Sequence, residues 1–254
     1  MTGAAPLVSM QGIVKRFGAV EALRGVDLEL GAGEVLGLVG DNAAGKSTLM
    51  KVLTGVHQPD EGRIVFEGQP VHFRNPHDSR ALGIEMIYQD LALVPSLDVV
   101  ANVFLGRERT RRRLGGLVRQ LDERAMEAAT WEVVRRLRIN MDSVRKPVGL
   151  CSGGQQQAVA IGRAMSFNAR VIVMDEPTAA LAVREVGKVL DLVRDLKTHG
   201  VSVILISHRM QDVFAVADRV MVLYGGQNVG VRRAAETTID EIVRLIVGAG
   251  ERVS

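Results

Sequence analysis

The sequence of 254 residues has little cysteine and few aromatic residues. Its single cysteine, Cys151, excludes a disulfide within the chain and fits a reducing compartment. Six Phe, two Tyr and one Trp provide few surfaces on which nucleic-acid bases could stack. A net charge of +3 is also too small to demand a nucleic-acid partner. We therefore expect no nucleic-acid partner.

Long apolar runs are missing as well. The apolar segments, such as Val171–Met174 and Val203–Ile206, are far shorter than the roughly 18 residues of a membrane span. The first ten residues, MTGAAPLVSM, contain no basic segment followed by an apolar stretch, so we expect no secretory signal and a cytoplasmic protein. With 47% hydrophobic and 24% charged residues, the composition excludes a disordered or fibrous protein.

The pattern of apolar residues predicts an α/β fold. A buried strand, Val35–Val39, leads into a glycine-bearing loop and then a helix, Lys46–Leu53. Strands of an N-terminal antiparallel sheet are predicted at Leu7–Phe17, Val26–Leu30, Arg63–Glu67 and Val71–Phe73. Further strands and helices are predicted at Ile84–Tyr88, Val171–Met174, Arg184–Lys197, Val201–Ile206, Met210–Val216 and Arg219–Tyr224.

A different pattern separates the two halves of this α/β region. From about Leu97 to Met141 strand patterns vanish, and Arg119–Arg138 has apolar residues at helical spacing. A helix from about Ser152 to Met165 follows, which predicts an inserted α-helical subdomain at about residues 90–165 of a single domain, 1–254. A last helix begins near Thr238, where Thr238 and Glu241 match a capping box.

The loop Gly40–Ser47 fits the phosphate-binding pattern G-x-x-x-x-G-K-[ST] between a strand and a helix. Its backbone N–H groups and the helix N-terminus favour an anion. Lys46 would reach the β- and γ-phosphates of ATP, and the Ser47 hydroxyl would bind Mg²⁺. The residues that we expect to contact the nucleotide here are Gly40, Asp41, Asn42, Ala43, Ala44, Gly45, Lys46, Ser47 and Thr48.

Two carboxylates, Asp175 and Glu176, follow the apolar strand Val171–Met174. Ligands of an open α/β sheet gather at the carboxyl ends of its strands, where the phosphate loop also lies. Asp175 would hold Mg²⁺, and Glu176 would orient or deprotonate the water that attacks the γ-phosphate. Lys46 and Asp175 lie 129 residues apart, which is more than a minimal phosphate-binding core requires and again indicates an insertion.

A second anion-binding helix start is predicted at Ser152–Gln155. Ser152 would cap the helix, and Gly153 and Gly154 leave the N–H groups of its first turn uncovered. With this third motif the chain resembles, over essentially its full length, the ATP-binding subunit of ABC transporters. The resemblance implies a P-loop ABC ATPase core, mainly a parallel sheet with flanking helices. It identifies Ser152, Gly153, Gly154 and Gln155 with the family's signature motif.

The resemblance also assigns roles to isolated residues. Gln89 matches the loop glutamine that senses Mg²⁺ and the attacking water, Phe17 matches the aromatic residue stacked on adenine, and His208 matches the switch histidine that contacts the γ-phosphate. In the family two such domains face each other, and each ATP is held by the phosphate loop of one and the signature motif of the other. The chain would thus work as a homodimer or with a paralogous ABC subunit.

A narrower resemblance is to the sugar-uptake ATPases of bacteria, in particular the ribose, xylose and fructose group. It is carried by Tyr88–Val94, Asn102–Glu108, Glu176–Leu181 and Val213–Asp218. Such proteins often fuse two nucleotide domains, whereas some fructose-type members have one, as here. The branch implies membrane permease subunits, a periplasmic sugar-binding protein and a position at the inner face of the membrane, where ATP hydrolysis powers monosaccharide import.

Three positions depart from the family pattern. Ala43 replaces a usual glycine, and if that backbone needs a positive φ, alanine adds about 1 kcal/mol of strain or more. Cys151 stands where leucine is usual, and Ala182 where many members have aspartate. Ala43 and Cys151 keep open a regulatory subunit that hydrolyses ATP poorly.

Two other classes of protein are open alternatives. One is a soluble ABC ATPase that acts on nucleic acid or ribosomes, against which the weak net charge and scarce aromatic residues argue. The other is a P-loop kinase or GTPase, which would need no Ser152–Gln155 motif. A GTPase should also carry N-K-x-D, which is absent. The arginines of Arg107–Arg113 fit a solvated loop, or a contact with the permease or anionic lipid.

Overall fold

The structure, a computed structural model, describes residues 5–113, 118–179 and 181–251. Its strands in chain order are β1 (Val8–Phe17), β2 (Val20–Leu30), β3 (Val35–Gly40), β4 (Glu61–Phe66), β5 (Gln69–Val71), β6 (Ile84–Ile87), β7 (Thr110–Arg113), β8 (Val118–Leu121), β9 (Val171–Asp175), β10 (Ser202–Ile206), β11 (Arg219–Tyr224) and β12 (Gln227–Arg233). Its α-helices are α1 (Lys46–Leu53), α2 (Pro76–Ala81), α3 (Val99–Phe104), α4 (Glu123–Arg136), α5 (Gly153–Met165), α6 (Val183–Thr198), α7 (Met210–Val216) and α8 (Ile239–Glu251).

The central sheet has the strand order β12-β11-β3-β10-β9-β6. All neighbours in it pair in parallel except β12, which pairs antiparallel with β11. Its strands read as continuous apolar runs because both faces are covered. In β9, for example, Val171 and Val173 pack on one side of the sheet and Ile172 and Met174 on the other. This parallel arrangement places the carboxyl ends of β3, β6, β9 and β10 along one edge.

The N-terminal antiparallel sheet has the order β2-β1-β4-β5. Its buried residues share one hydrophobic core with α1 and one face of the central sheet. Helices α5, α6, α7 and α8 contribute to the core on the opposite face. The predicted α/β class, with a mainly parallel sheet and an N-terminal antiparallel part, is confirmed.

Helices α3, α4 and α5 lie between β6 and β9 in sequence and form a third buried cluster with Phe104, Met126 and Val159. One expectation for this region is wrong, because β7 and β8 form an antiparallel hairpin where no strand was predicted. Arginine-rich segments offer no apolar alternation, so their pattern gave no strand signal. The predicted helix Arg119–Arg138 begins later, at Glu123, because residues up to Leu121 belong to β8. Asp122 caps the helix and accepts a hydrogen bond from Ala125 N at 3.1 Å.

Smaller differences concern the C-terminal part. Strand β12 was not predicted, although Gly225 and Gly226, both at positive φ, form the kind of two-residue turn that joins hairpin strands. The predicted capping box of α8 is half formed. Thr238 Oγ1 accepts a hydrogen bond from Glu241 N at 3.2 Å, but the Glu241 carboxylate binds Thr237 and Arg232 instead. Residues 1–4, on which the expectation of no secretory signal partly rests, lie outside the described residues.

Candidate nucleotide-binding site

The phosphate loop (Gly40–Ser47) connects the end of β3 to the start of α1. Gly40 has φ 151°, and a Cβ atom there would lie 2.0 Å from the Leu223 carbonyl oxygen. Gly45 has φ 100°, and its Cβ would lie 2.8 Å from the Ala22 carbonyl oxygen. Both ends of the loop therefore require glycine, because the loop is pressed against the backbone of neighbouring segments.

Ala43 lies in the left-handed region, at φ 63°. The backbone at this position has the positive φ that favours glycine, so this alanine carries strain of about 1 kcal/mol relative to glycine.

Replacing Ala43 by glycine is expected to stabilise the folded chain by about 1 kcal/mol, since it removes this strain. The thermal midpoint should rise by about 2 to 4 °C, the shift typical of a chain of this size. The matched control is Ala44→Gly, because Ala44 is buried and does not have a positive φ. Its replacement should lower the midpoint. Calorimetry of both variants checks this, and a lower midpoint for Ala43→Gly would show that the strain is absent.

Lys46 spans the phosphate loop. Its Nζ donates hydrogen bonds to the carbonyl oxygens of Gly40 at 2.8 Å and Asp41 at 2.9 Å. Burial lowers the pKa of Lys46, and the nearby carboxylates of Glu176, Asp175 and Asp41 oppose that shift. The ammonium group is thus held over the concave side of the loop, where a phosphate would neutralise it.

The start of α1 offers uncovered backbone donors. Gly45 is its N-cap and makes no side-chain capping hydrogen bond, and the first turn contains no acidic residue. The N–H groups of this turn are therefore available to an external anion, which the positive charge of Lys46 would also attract. These features fit the triphosphate of ATP.

Ser47 and Asp175 bring two oxygen ligands together across the sheet edge. The Ser47 hydroxyl lies 3.5 Å from Asp175 Oδ2, the long limit of a hydrogen bond. The pKa of Asp175 is raised, first by burial and second by the charge of Glu176, while Ser47 and Lys46 act in the opposite direction. The negative charge of Asp175 is thus only partly balanced by its neighbours. Together with the Ser47 hydroxyl it fits Mg²⁺, which prefers oxygen ligands.

Glu176 directly follows β9 and has φ 50°. Its Oε1 accepts a hydrogen bond from the His208 backbone N–H at 3.0 Å. Its Oε2 lies 2.8 Å from His208 Nδ1. Oε2 is buried and has no other hydrogen-bond partner among the described residues. A buried carboxylate oxygen of this kind is suited to accept a hydrogen bond from water.

Gln89 lies at the same sheet edge as Glu176. It is two residues beyond Ile87, Glu176 is two residues beyond Met174, and Ile87 and Met174 pair in the parallel ladder of β6 and β9. Gln89 and Glu176 line one cleft of about 390 Å³, together with Gly153 and Gln157. Gln157 Nε2 is also buried without a hydrogen-bond partner in the described part of the chain. A donor and an acceptor left unpaired along one cleft make it a favourable place for water.

The signature motif (Ser152–Gln155) begins helix α5 as predicted. Ser152 and Gln155 form a capping box, with Gln155 N donating to Ser152 Oγ at 3.3 Å and Ser152 N donating to Gln155 Oε1 at 3.0 Å. Ser152, Gly154 and Gln155 line a second cavity of about 590 Å³ beside α6, whereas Gly153 lines the cleft of Gln89 and Glu176. The motif is not hydrogen-bonded to the phosphate loop within the described residues.

The motif has a contact that sequence reasoning missed. The carboxylate of Glu185, in the first turn of α6, lies against Gly153 and Gly154. Ala182, the departure noted above, is the N-cap of α6 and provides no side-chain cap. Nothing in the local sequence pattern links Glu185 to Ser152, because the contact joins two helices that are far apart in sequence.

Cys151 is buried in the cluster of the helical region with Val148 and Val159. Burial raises the pKa of its thiol, so the side chain behaves as a small apolar residue. The departure from leucine at this position keeps the site apolar.

Phe17 is the last residue of β1, and 45% of it is exposed. It meets His57 edge-on, with ring centroids 5.1 Å apart, and Lys15 Nζ lies 5.6 Å from its ring centroid. An exposed aromatic face in a polar setting is suited to stack on a base. Burial, followed by the charges of Lys51 and Lys15, lowers the pKa of His57, which favours the neutral ring. His57, which contacts Phe17, is a second candidate site residue that the sequence analysis missed.

Comparisons with known proteins agree with this geometry. The family model described as ABC transporter matches residues 23–179, which is more than half of the chain. The chain belongs to the ABC transporter family. It is therefore an ATPase subunit of that family, as the sequence analysis predicted, and the kinase and GTPase alternatives are excluded. None of the helices in the described segments is both long enough and apolar enough to span a bilayer.

Several relatives of this ABC ATPase are proteins of known assignment. It is 45% identical over 240 residues to the xylose/arabinose import ATP-binding protein XylG of Sulfolobus acidocaldarius, covering 94% of this chain and 93% of the relative. It is 42% identical to the fructose import ATP-binding protein FrcA of Rhizobium meliloti, covering 97% and 95% of the two chains. It is 46% identical to the ribose import ATP-binding protein RbsA of Geobacillus kaustophilus, of which it spans 49%.

A solved structure confirms the ABC ATPase fold. An ATP-binding cassette of an ABC transporter, crystallised in its ADP conformation, matches with a TM-score of 0.79 and 29% identity, covering 96% of each chain. A nucleotide-free cassette matches with a TM-score of 0.78 and 27% identity.

Proposed function

We propose that this chain hydrolyses ATP to power the import of a monosaccharide through a partner membrane permease. The observation that carries the proposal is its 42–45% identity, over nearly the full length of both chains, to the import proteins XylG and FrcA. The chain would act as one ATP-binding domain, residues 1–254 with a helical insert at about 90–165. It would lie at the inner face of the membrane, and the assembled transporter would receive sugar from a periplasmic binding protein.

In this proposal the residues around the phosphate loop bind Mg-ATP. Lys46 and the N–H groups at the start of α1 hold the phosphates, the Phe17 ring stacks on the adenine, and Ser47 and Asp175 hold Mg²⁺ with Gln89 beside them. When bound, Mg²⁺ neutralises charge on the β- and γ-phosphates.

Glu176 is the residue that we propose to orient and deprotonate the attacking water. Glu176 lines the cleft shared with Gln89, its Oε2 is buried, and His208 N–H holds its Oε1. His208, whose side chain is 66% exposed, would contact the γ-phosphate from the open side of the site. This geometry supports the proposal that Glu176 accepts the proton and that the His208 backbone N–H positions Glu176.

We further propose that two cassettes sandwich each ATP, as a homodimer or with a paralogous subunit. One chain presents two helix starts suited to anions, α1 and α5, that share no hydrogen bond within the described residues. Pairing two chains lets the phosphate loop of one and the signature motif of the other hold a single triphosphate. Loss of the γ-phosphate would then release the pair, and the surface around residues 89–98 and the helical insert would pass that motion to the permease.

The proposal is tested with the cassette, its permease and its binding protein in vesicles. ATP hydrolysis should rise when the binding protein is loaded with ribose, xylose or fructose, and labelled sugar should enter only with ATP. Stimulation by RNA or ribosomes, with no response to sugar, would favour the soluble alternative. A complex that imports sugar although this subunit lacks hydrolysis would favour the regulatory one.

A further inference from the structure

We propose that Glu185 is an internal ligand of the signature motif, which competes with the nucleotide held by a partner cassette. The contact of its carboxylate with the first turn of α5 carries the inference. It rests on the proposed function, because it concerns how the signature motif engages ATP across the pair of cassettes.

The carboxylate of Glu185 lies on the part of α5 that the glycines leave uncovered. A Cβ atom at Gly153 would be 3.4 Å from Glu185 Oε2, and one at Gly154 would be 3.6 Å from Oε1. At Gly154 the same atom would also be 3.3 Å from the Cβ of Glu185. Both carboxylate oxygens therefore face the first turn of the signature helix, one against each glycine.

The motif itself stabilises the charge of this carboxylate. The Ser152 hydroxyl and then the Gly154 N–H hold the pKa of Glu185 below its usual value, so the group is charged at neutral pH. The Ser152 hydroxyl can donate to Glu185 because its oxygen is at the same time the acceptor for Gln155 N. The donors of the motif thus lie beside an anion that belongs to the same chain.

Those donors are the ones a phosphate would need. An anion at a helix start is stabilised by the uncovered N–H groups and the helix dipole, and a second anion at the same place is repelled. The γ-phosphate of a partner's ATP can bind Ser152 and Gly154 only after Glu185 has moved away. A contact occupied about nine tenths of the time would lower the apparent affinity about tenfold, because only the open fraction is competent.

The position of Glu185 links this contact to the catalytic carboxylate. Glu185 is in the first turn of α6, and Leu181, whose Cδ2 would lie 2.8 Å from a Cβ at Gly153, covers the same glycine. Leu181 also lines the cleft of Gln89 and Glu176. Movement of Glu185 away from the motif would therefore change the packing of Leu181, which borders the catalytic cleft. In this proposal the contact between Glu185 and the signature motif opposes pairing of the cassettes until the nucleotide displaces the Glu185 carboxylate.

The test compares Glu185 variants in a Glu176→Gln background, with the full chain and its permease. We expect Glu185→Ala to lower the Mg-ATP concentration for half-maximal pairing of cassettes about tenfold, measured by analytical ultracentrifugation. Glu185→Gln should give a smaller shift, since a neutral amide accepts weaker hydrogen bonds than a carboxylate. The matched control is Glu132→Gln, which removes one exposed charge from α4 that makes no ion pair within the described residues. It should leave the midpoint unchanged.

A second measurement needs no pairing. Amide hydrogen exchange at Gly154 in the nucleotide-free chain should be faster in Glu185→Ala than in the parent or in Glu132→Gln. Unchanged exchange, or an unchanged or higher Mg-ATP midpoint, would overturn the inference. If the Glu176→Gln parent itself stays monomeric at saturating Mg-ATP with permease present, the proposed pairing fails, and the inference fails with it.

Discussion

Replacing Glu176 by glutamine is expected to leave Mg-ATP binding intact and to lower the hydrolysis rate at least 100-fold. The amide keeps the size of the side chain and can still accept the hydrogen bond from His208 N–H at Oε1. It cannot take a proton from water, and removal of a general base of this kind costs 100-fold to 10,000-fold. Phosphate release at saturating ATP measures the loss, and fluorescence of a bound ATP analogue measures retained affinity.

Two observations make this substitution decisive. Glu176 lines the cleft shared with Gln89, and its Oε2 atom is buried. Among the described residues the only other carboxylate that lines this cleft is that of Asp90, whose Oδ1 accepts a hydrogen bond from Ala92 N–H at 3.3 Å. The charge control, Glu132→Gln, should keep full activity. Hydrolysis near the parent rate by the Glu176 variant would remove Glu176 from its catalytic role and direct attention to Asp90.

Of the elements around the phosphate loop, α1 could be predicted from the sequence to the residue and β3 to within one residue. Helix α1 has the predicted bounds, Lys46–Leu53, because a glycine at a positive φ stops the strand conformation and starts the helix within one short segment. The apolar runs of β9 and β10 were equally clear, since strands covered on both faces carry an uninterrupted signal. By contrast, the hairpin of β7 and β8 depends on cross-strand pairing of residues such as Arg112 and Arg119, which no local pattern reveals.

The candidate site divides in the same way. Residues that belong to a contiguous motif, such as Lys46, Asp175 and Ser152, could be selected because their chemistry follows from the backbone segment that carries them. His57 and Glu185 could not be selected, because only tertiary packing brings them to the site. His57 contacts the ring of Phe17, and Glu185 contacts the first turn of α5. Local spacing carries no information about such contacts.

Replacing Lys46 by alanine is expected to weaken Mg-ATP binding about 100-fold and to abolish hydrolysis. Hydrogen bonds to charged groups contribute about 1.5 to 3 kcal/mol each, and the loss of two phosphate contacts at the low end of this range corresponds to about 100-fold in affinity. The variant also removes the two hydrogen bonds from Nζ to the carbonyl oxygens of Gly40 and Asp41, and Asp41 keeps only the bond from Ala44 N–H. This loss loosens the loop that must hold the phosphates. The measurement is the rise in thermal midpoint with Mg-ATP, which depends on affinity.

The control for Lys46 lies on the same helix. Lys51→Ala removes an equal charge from the last turn of α1, and the hydrogen bonds that span the phosphate loop stay in place. Mg-ATP should therefore raise its thermal midpoint as it does for the parent, whereas Lys46→Ala should show a much smaller rise at the same concentration. If both variants respond equally, the positive charge of α1 acts at long range and Lys46 makes no direct phosphate contact. That result would move the nucleotide away from the phosphate loop and contradict the site as a whole, because Ser47 and Asp175 are placed around the same phosphate position.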